Sequence, residues 1–421
     1  MIANYQINRM TCLILCSLFV VLGFSGVSSA ADQLSPMEKL GSFLYFDENL
    51  SKPAGKSCAS CHHPDVGFAD PDSNHPVSEG SVPGRFTGRN SPSTAYAMYS
   101  PMRYYDDVDG LWRGGQFWDS RAVGDVFDDP LADQALAPFL NPAKMNNGSK
   151  QEVIDEIKAS EYGALFEQVW GAGSLENVEI AYDQVALSIA AFERTAQFAP
   201  FSSKYDVYLQ DCLAAGGDKN DCAMGIGPQA QAAAEIFSLK EWQGLQLFMS
   251  ENNNDGTLEP GEGAMCAACH SASWTQPLGN VVVPDWSPDG TVPPVFTDFT
   301  YDNLGIPKNE EFPLDGNPID EGLGTILGDP NQSGKFKVMP LRNVQLTGPY
   351  GHNGLFKGLK EIIHFYNTRD VPGSLPQGQS WFAPEYRPNM NTVELGNLGL
   401  SDDDEDAIVA FMKTLTDGWA Q

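Results

Sequence analysis

The chain has 421 residues, with 25 Lys and Arg against 55 Asp and Glu, a formal charge of −30 at pH 7. So strong an acidic excess argues against nucleic acid and anionic membrane surfaces as partners and suits basic proteins. Length alone predicts two domains.

In chain order, residues 11–24 (TCLILCSLFVVLGF) are almost wholly apolar, follow Arg9 and precede a run of small residues. That layout predicts a signal peptide over 1–30, cut after Ala30, and hence a soluble, exported, periplasmic chain. The apolar run is too short and wrongly flanked for a membrane span. Ser35-Pro36 opens a predicted helix over 35–47, and Ser149 with Glu152 three residues on caps another over 149–160. Long amphipathic helices are predicted over 176–198 and 227–249, and a last one over 401–417, with acids crowded at its N-terminus. Long Gly/Pro/Asp/Asn stretches lie between them, notably 71–92 and 276–340. A strand pattern is hinted at only in "NVVVPDW" (280–286). The pattern is that of a mainly α, two-domain protein whose long irregular loops are pinned by something other than a large sheet.

Six cysteines remain beyond the signal. Cys212 and Cys222 predict a small disulfide loop in an oxidising compartment. The other four form Cys58-Ala-Ser-Cys61-His62 and Cys266-Ala-Ala-Cys269-His270, one in each half. Structural zinc would place two such pairs roughly 15–20 residues apart or add a downstream His pair; these lie about 200 apart. A redox dithiol needs no histidine after both copies. Covalent haem attachment needs both features, two thioethers and a following imidazole as proximal iron ligand. Two covalently bound haem c groups are therefore predicted, ligated by His62 and His270. His63 directly follows one ligand and predicts a surface or propionate-facing role.

"GRNSPS" (88–93), "FWDSRA" (117–122), "DQALAPFLNPAKM" (133–145) and "FKVMPLRNVQLTGPYGHNGLFKGLKEIIHFYN" (336–367) resemble the bacterial di-haem cytochrome c peroxidase/MauG family, over about residue 35 to the C-terminus. The resemblance implies two cytochrome-c-like haem domains, 31–225 holding a peroxide-reacting haem and 226–421 holding an electron-relay haem. It implies that Tyr366, fourteen residues after His352, is the sixth ligand of the second iron. Ordinary peroxidases of the family have Met there and the MauG branch has Tyr. His364, two residues away, faces elsewhere on the helix. Trp118 matches the tryptophan between the haems. Asn90, Thr347 and Pro349 match an interdomain calcium site, the last two through backbone oxygens. Separately from the resemblance, "ENNNDGTLEPGE" (251–262) reads as either an EF-type calcium loop or a solvated acidic loop. Its ligand positions are Glu251, Asn253, Asp255, the Thr257 carbonyl, Glu259 and Glu262, with Gly256 at the turn.

The resemblance breaks at the peroxide-reacting site. Gln134 and Pro138 match it, but the family's proton-moving Glu, ten residues after the Gln, falls at Lys144. A protonated lysine cannot accept the peroxide proton unless burial lowers its pKa. Either Asp125, Asp128 or Asp129 from a nearby insertion substitutes, or Lys144 acts as donor, or peroxide chemistry is weak. His75, in the 71–89 loop, is out of register with the family's dissociable distal His and predicts an open first haem. The leading expectation is an enzyme that uses hydrogen peroxide to oxidise a residue on a partner protein. Its rivals are a peroxidase taking electrons from a small cytochrome c or cupredoxin, and a non-enzymatic di-haem electron carrier.

Overall fold

The computed structural model describes residues 34–311 and 318–420; the expected signal peptide, 1–30, lies outside the described residues. Ser35 and Glu38 cap each other's amides and start α1 (Pro36–Phe46). Asp129 caps α2 (Pro130–Leu140) and Ser149 caps α3 (Lys150–Ala159). There follow α4 (Gly163–Trp170), α5 (Val178–Glu193), α6 (Lys204–Ala214), α7 (Lys219–Met224), α8 (Gly227–Ala233), α9 (Leu239–Met249), α10 (Leu323–Leu327), α11 (Leu359–Thr368) and α12 (Asp402–Lys413). Short antiparallel pairs join β1 (Tyr104–Asp106) to β2 (Leu111–Arg113) and β3 (Tyr301–Asp302) to β4 (Phe336–Lys337). The fold is mainly α, with long irregular connections. No helix among the described residues is long and apolar enough to cross a membrane.

Two expected elements differ. The helix expected over 227–249 is broken, because Ser238 and Glu241 form a second capping box and force the chain into an extended conformation at Phe237. Phe237 is thereby buried beside Tyr208 and Trp242. Residues 280–286 form no strand; Val281, Val283 and Trp286 instead pack side-on against the aromatic core of the first half.

One device occurs twice. α1 crosses α5 at Gly41, where a Cβ would stand 1.9 Å from the Ser188 carbonyl oxygen and 2.8 Å from Phe192 Cβ. α9 crosses α12 at Gly244, where a Cβ would stand 1.9 Å from the Ala407 carbonyl oxygen and 2.9 Å from Phe411 Cβ. In both, only a residue without a side chain permits the approach. Each crossing seats a hydrophobic cluster. The first gathers Leu40, Leu44, Tyr45, Phe192 and Phe198, and the second Leu245, Phe248, Phe296, Ile408 and Phe411.

The described residues belong to one compact unit, and buried polar contacts hold its halves together. Arg342, fully buried, pairs with Asp206 at 2.8 Å and donates to the Pro294 carbonyl, with Tyr96, Phe201, Tyr205 and Phe296 around its guanidinium. The Tyr96 hydroxyl donates to Asp417 at 3.0 Å. Cys212 and Cys222 form the expected disulfide, and Gly217 leaves room for its sulfurs.

Candidate functional site

Each Cys-x-x-Cys-His forms a single tight turn in which the histidine amide donates to the first cysteine's carbonyl, at 2.9 Å for His62 and 2.8 Å for His270. The second turn brings both cysteines and the imidazole to one cavity wall, and the first brings Cys58 and His62. None of these four cysteines is paired in a disulfide, unlike Cys212 and Cys222. Burial pushes the thiols of Cys58 and Cys266 up to about 12.

Each turn opens onto its own cavity. The first, about 360 Å³, is lined by Cys58 and His62, by Gln134, Pro138 and Lys144 from α2 and the loop after it, and by Trp118, Arg121 and Glu193. The second, about 220 Å³, is lined by Cys266, Cys269, His270 and, from α11, Tyr366. The Nδ1 of His270 donates to the Phe296 carbonyl at 2.9 Å, which leaves its Nε2 lone pair for a metal. His62 is held neutral, its pKa lowered to about 4 by burial and then by Lys144, and its buried Nδ1 makes no hydrogen bond of ordinary geometry among the described residues. Two neutral imidazoles, each beside two unpaired thiols and a largely apolar cavity, suit a covalently held haem.

Tyr366 shares the cavity of His270. Burial raises its hydroxyl pKa well above the ordinary value, with further contributions from Cys266, Cys269 and Asp302. His364 turns away, bonding Glu405 at 2.8 Å. Trp118 borders both cavities, its indole N–H fixed to the Asn90 carbonyl at 2.9 Å. Asp320 also lines both cavities, and Arg89, in the lining of the first, pairs with it at 2.6 Å. Lys337 is fully buried in the second wall and donates to Ser100 Oγ at 2.7 Å; burial lowers its pKa to about 7.

Lys144 faces the first cavity with its ammonium 5.3 Å from the Phe117 ring centre. Burial, and then Arg121, lower its pKa to about 8. The insertion's carboxylates are absent from the lining of this cavity. Asp125 and Asp128 are exposed, and Asp129 caps α2 and pairs with Arg194 at 2.6 Å. His75 sits in an exposed loop, 3.1 Å from Asp72, and lines neither cavity. His63 accepts from the Asp65 amide on the surface.

Asn90, Thr347 and Pro349 all line the second cavity, and the Asn90 backbone amide donates to the carbonyl of His352 at 2.8 Å. The carboxylates of the 251–262 loop do not converge: among the described residues the one such group is Cys269, Asp302 and Glu394. The Asn253 side-chain amide bonds the Glu262 carboxylate, Asp255 accepts from Thr257, and the Glu259 amide donates to Glu262. Asn252 and Asn254 tie the loop to residues 392–398. Two of its carboxylates, Asp255 and Glu262, thus bond within the loop.

Sequence reasoning missed Glu193. It lies one turn beyond Ile189 on the buried face of α5, and both residues line the first cavity. The available signal was an acid in phase with an apolar stripe.

The family described as di-haem cytochrome c peroxidase matches residues 35–212. The chain is 34% identical over 410 residues to the methylamine utilization protein MauG of Paracoccus denitrificans, covering 93% of this chain and 92% of that protein. It is 26% identical over 415 residues to the cytochrome c551 peroxidase of Nitrosomonas europaea, covering 95% and 89%. Its fold is similar to the diheme peroxidase BthA from Burkholderia thailandensis, with a TM-score of 0.69 and 28% identity over 92% of this chain and 89% of that one. Together with the two cavities, this makes the chain a member of the di-haem cytochrome c peroxidase/MauG family, a haem-dependent oxidoreductase with two haem cofactors.

Proposed function

We propose that this enzyme uses hydrogen peroxide to oxidise a residue, a Trp or Tyr, on a partner protein, in the manner of the MauG branch. The observation that carries the reading is Tyr366 in the cavity of His270, where a conventional peroxidase of the family has methionine. In this reading Cys58 and Cys61 would hold the first haem and Cys266 and Cys269 the second, with His62 as ligand to the first iron and His270 and Tyr366 to the second. Haem supplies the two-electron chemistry of peroxide cleavage, and a tyrosinate ligand favours oxidised iron where a thioether raises the potential. Two haem domains, 31–225 and 226–421, belong to the same reading, and each hydrophobic cluster is built on its own Gly-pinned helix crossing. Location in the periplasm and calcium at Asn90, Thr347 and Pro349 belong to the same proposal.

The protein's own groups have separable tasks. Pro138, with no N–H, keeps one wall of the first cavity rigid, and Gln134 presents a donor and an acceptor to a small polar substrate. Lys144 and Arg121 supply positive charge where anionic oxygen develops. Trp118, locked by Asn90, offers the route along which electrons pass between the cavities. Conventional peroxidase activity, with a basic small cytochrome c or cupredoxin as donor, is the rival; the charge of −30 suits a basic partner under either reading.

The test is one equivalent of hydrogen peroxide added to the diferric protein without donor, followed by Soret absorbance. A rapid change that persists, then decays on addition of an oxidisable protein, is expected. No change until the protein has been pre-reduced would identify the conventional peroxidase.

A further inference from the structure

We propose that Glu193 is the catalytic acid of the first cavity, giving its proton to the departing oxygen of the peroxide in place of the glutamate that this chain replaces with Lys144. The inference rests on the peroxide-dependent reading above and adds a residue to it.

The geometry carries it. Glu193 is 6% exposed, at the C-terminal end of α5, and it lines the cavity that also holds His62, Gln134 and Lys144. α5 packs on α2, the helix of Gln134 and Pro138, and the Tyr182 hydroxyl donates to the Leu136 carbonyl at 2.6 Å between them. The Glu193 carboxyl has neither a hydrogen-bond nor an ion-pair partner among the described residues. Its neighbour Arg194 is committed to Asp129 at 2.6 Å. A buried carboxyl left unpaired costs free energy unless it stays neutral, and a neutral carboxylic acid is a proton donor. The charged and titratable groups around it are consistent with this. Arg194 on α5 favours the ionised form, Asp129 at the start of α2 opposes it, and Tyr45 of α1 and Cys58 of the haem turn lie within its field. Lys144 faces the same cavity from the loop after α2. Burial dominates and raises the Glu193 pKa to about 8.

The chemistry balances as follows. Reduction of hydrogen peroxide to two waters takes two electrons and two protons. The electrons come from the haems, and the O–O bond breaks. One proton comes from Glu193 and leaves with the outer oxygen as water; the other comes from solvent. Solvent then reprotonates Glu193. The carboxylates of the insertion cannot serve, since none lines the cavity.

The test uses the holoprotein and its Glu193→Gln and Glu193→Asp variants, checked for haem content. Infrared difference spectra during pH titration should show the C=O stretch of a protonated carboxyl at pH 7. The band should vanish as pH passes about 8 and be missing from Glu193→Gln. The rate of the peroxide-induced Soret change should fall in the wild type as pH rises through the same value. It should be on the order of 100-fold slower in Glu193→Gln, with that pH limb gone. Glu193→Asp should keep the limb at a reduced rate. A Glu193→Gln protein that reacts at the wild-type rate with the wild-type pH profile overturns the proposal, even if the infrared band is present. Should Glu193→Gln fail to fold, Glu193→Asp matching wild type at every pH overturns it equally. A wild type inert to peroxide removes the functional reading itself and this inference with it.

Discussion

Glu193 shows how one residue links burial to both stability and chemistry. Burial raises its pKa from the ordinary 4.5 to about 8. The unfolded chain releases this proton near pH 4.5 while the folded chain holds it to about pH 8. Between those values the folded state binds more protons, so this group's contribution makes stability fall as pH rises, and the loss is complete above pH 8. Glu193→Gln removes the titration. Its melting temperature relative to wild type should therefore climb from pH 5 to pH 8 and level off above, read by scanning calorimetry at matched ionic strength. A constant offset across that range would contradict the assignment. The site's chemistry was unevenly legible at this scale. The two Cys-x-x-Cys-His turns, each at its own cavity, could be read directly, because the motif is contiguous in the chain. Glu193 could not, because its role depends on a cavity assembled from α2, α5 and the loops around them. Lys144 was legible as an anomaly, and the structure adds that burial brings its pKa to about 8, so part of its population is neutral in mildly alkaline solution.

At the scale of elements, the two Gly-pinned helix crossings seat α1 and α9, which pack against the Cys58 and Cys266 turns respectively. Replacing Gly41 or Gly244 by alanine drives a methyl into the carbonyl oxygen of Ser188 or Ala407, each 1.9 Å away. Neither backbone can yield without separating its helices, so each variant should lose about 3 kcal/mol in guanidinium unfolding. A loss below about 0.5 kcal/mol would mean that the crossings are looser than described. The helices themselves were largely legible, since Ser35, Ser149 and Ser401 announce their caps and the apolar stripes follow. The break inside 227–249 was not, because Ser238 with Glu241 competes locally with an unbroken apolar pattern, and burial of Phe237 between Tyr208 and Trp242 settles the competition. The valines of 280–286 read as a strand, but their partner is the aromatic core of the first half rather than another strand. The EF-like spacing of 251–262 likewise describes a loop whose amides and carboxylates bond one another and residues 392–398.

Across the whole molecule, two cavities share Trp118, Asn90 and Asp320, the wall through which the proposed electron route runs. The buried Arg342–Asp206 pair joins residues 136 apart in sequence. The acidic surface leaves basic proteins as natural partners, and charge alone does not choose between an electron donor and a substrate. Tyr366 does choose, and the account stands or falls on it. The most direct test is the low-temperature EPR spectrum of the as-isolated diferric protein beside that of Tyr366→Phe. The account predicts one high-spin signal from an open first haem and one low-spin signal that changes in Tyr366→Phe. Two low-spin signals, both indifferent to Tyr366→Phe, would contradict it.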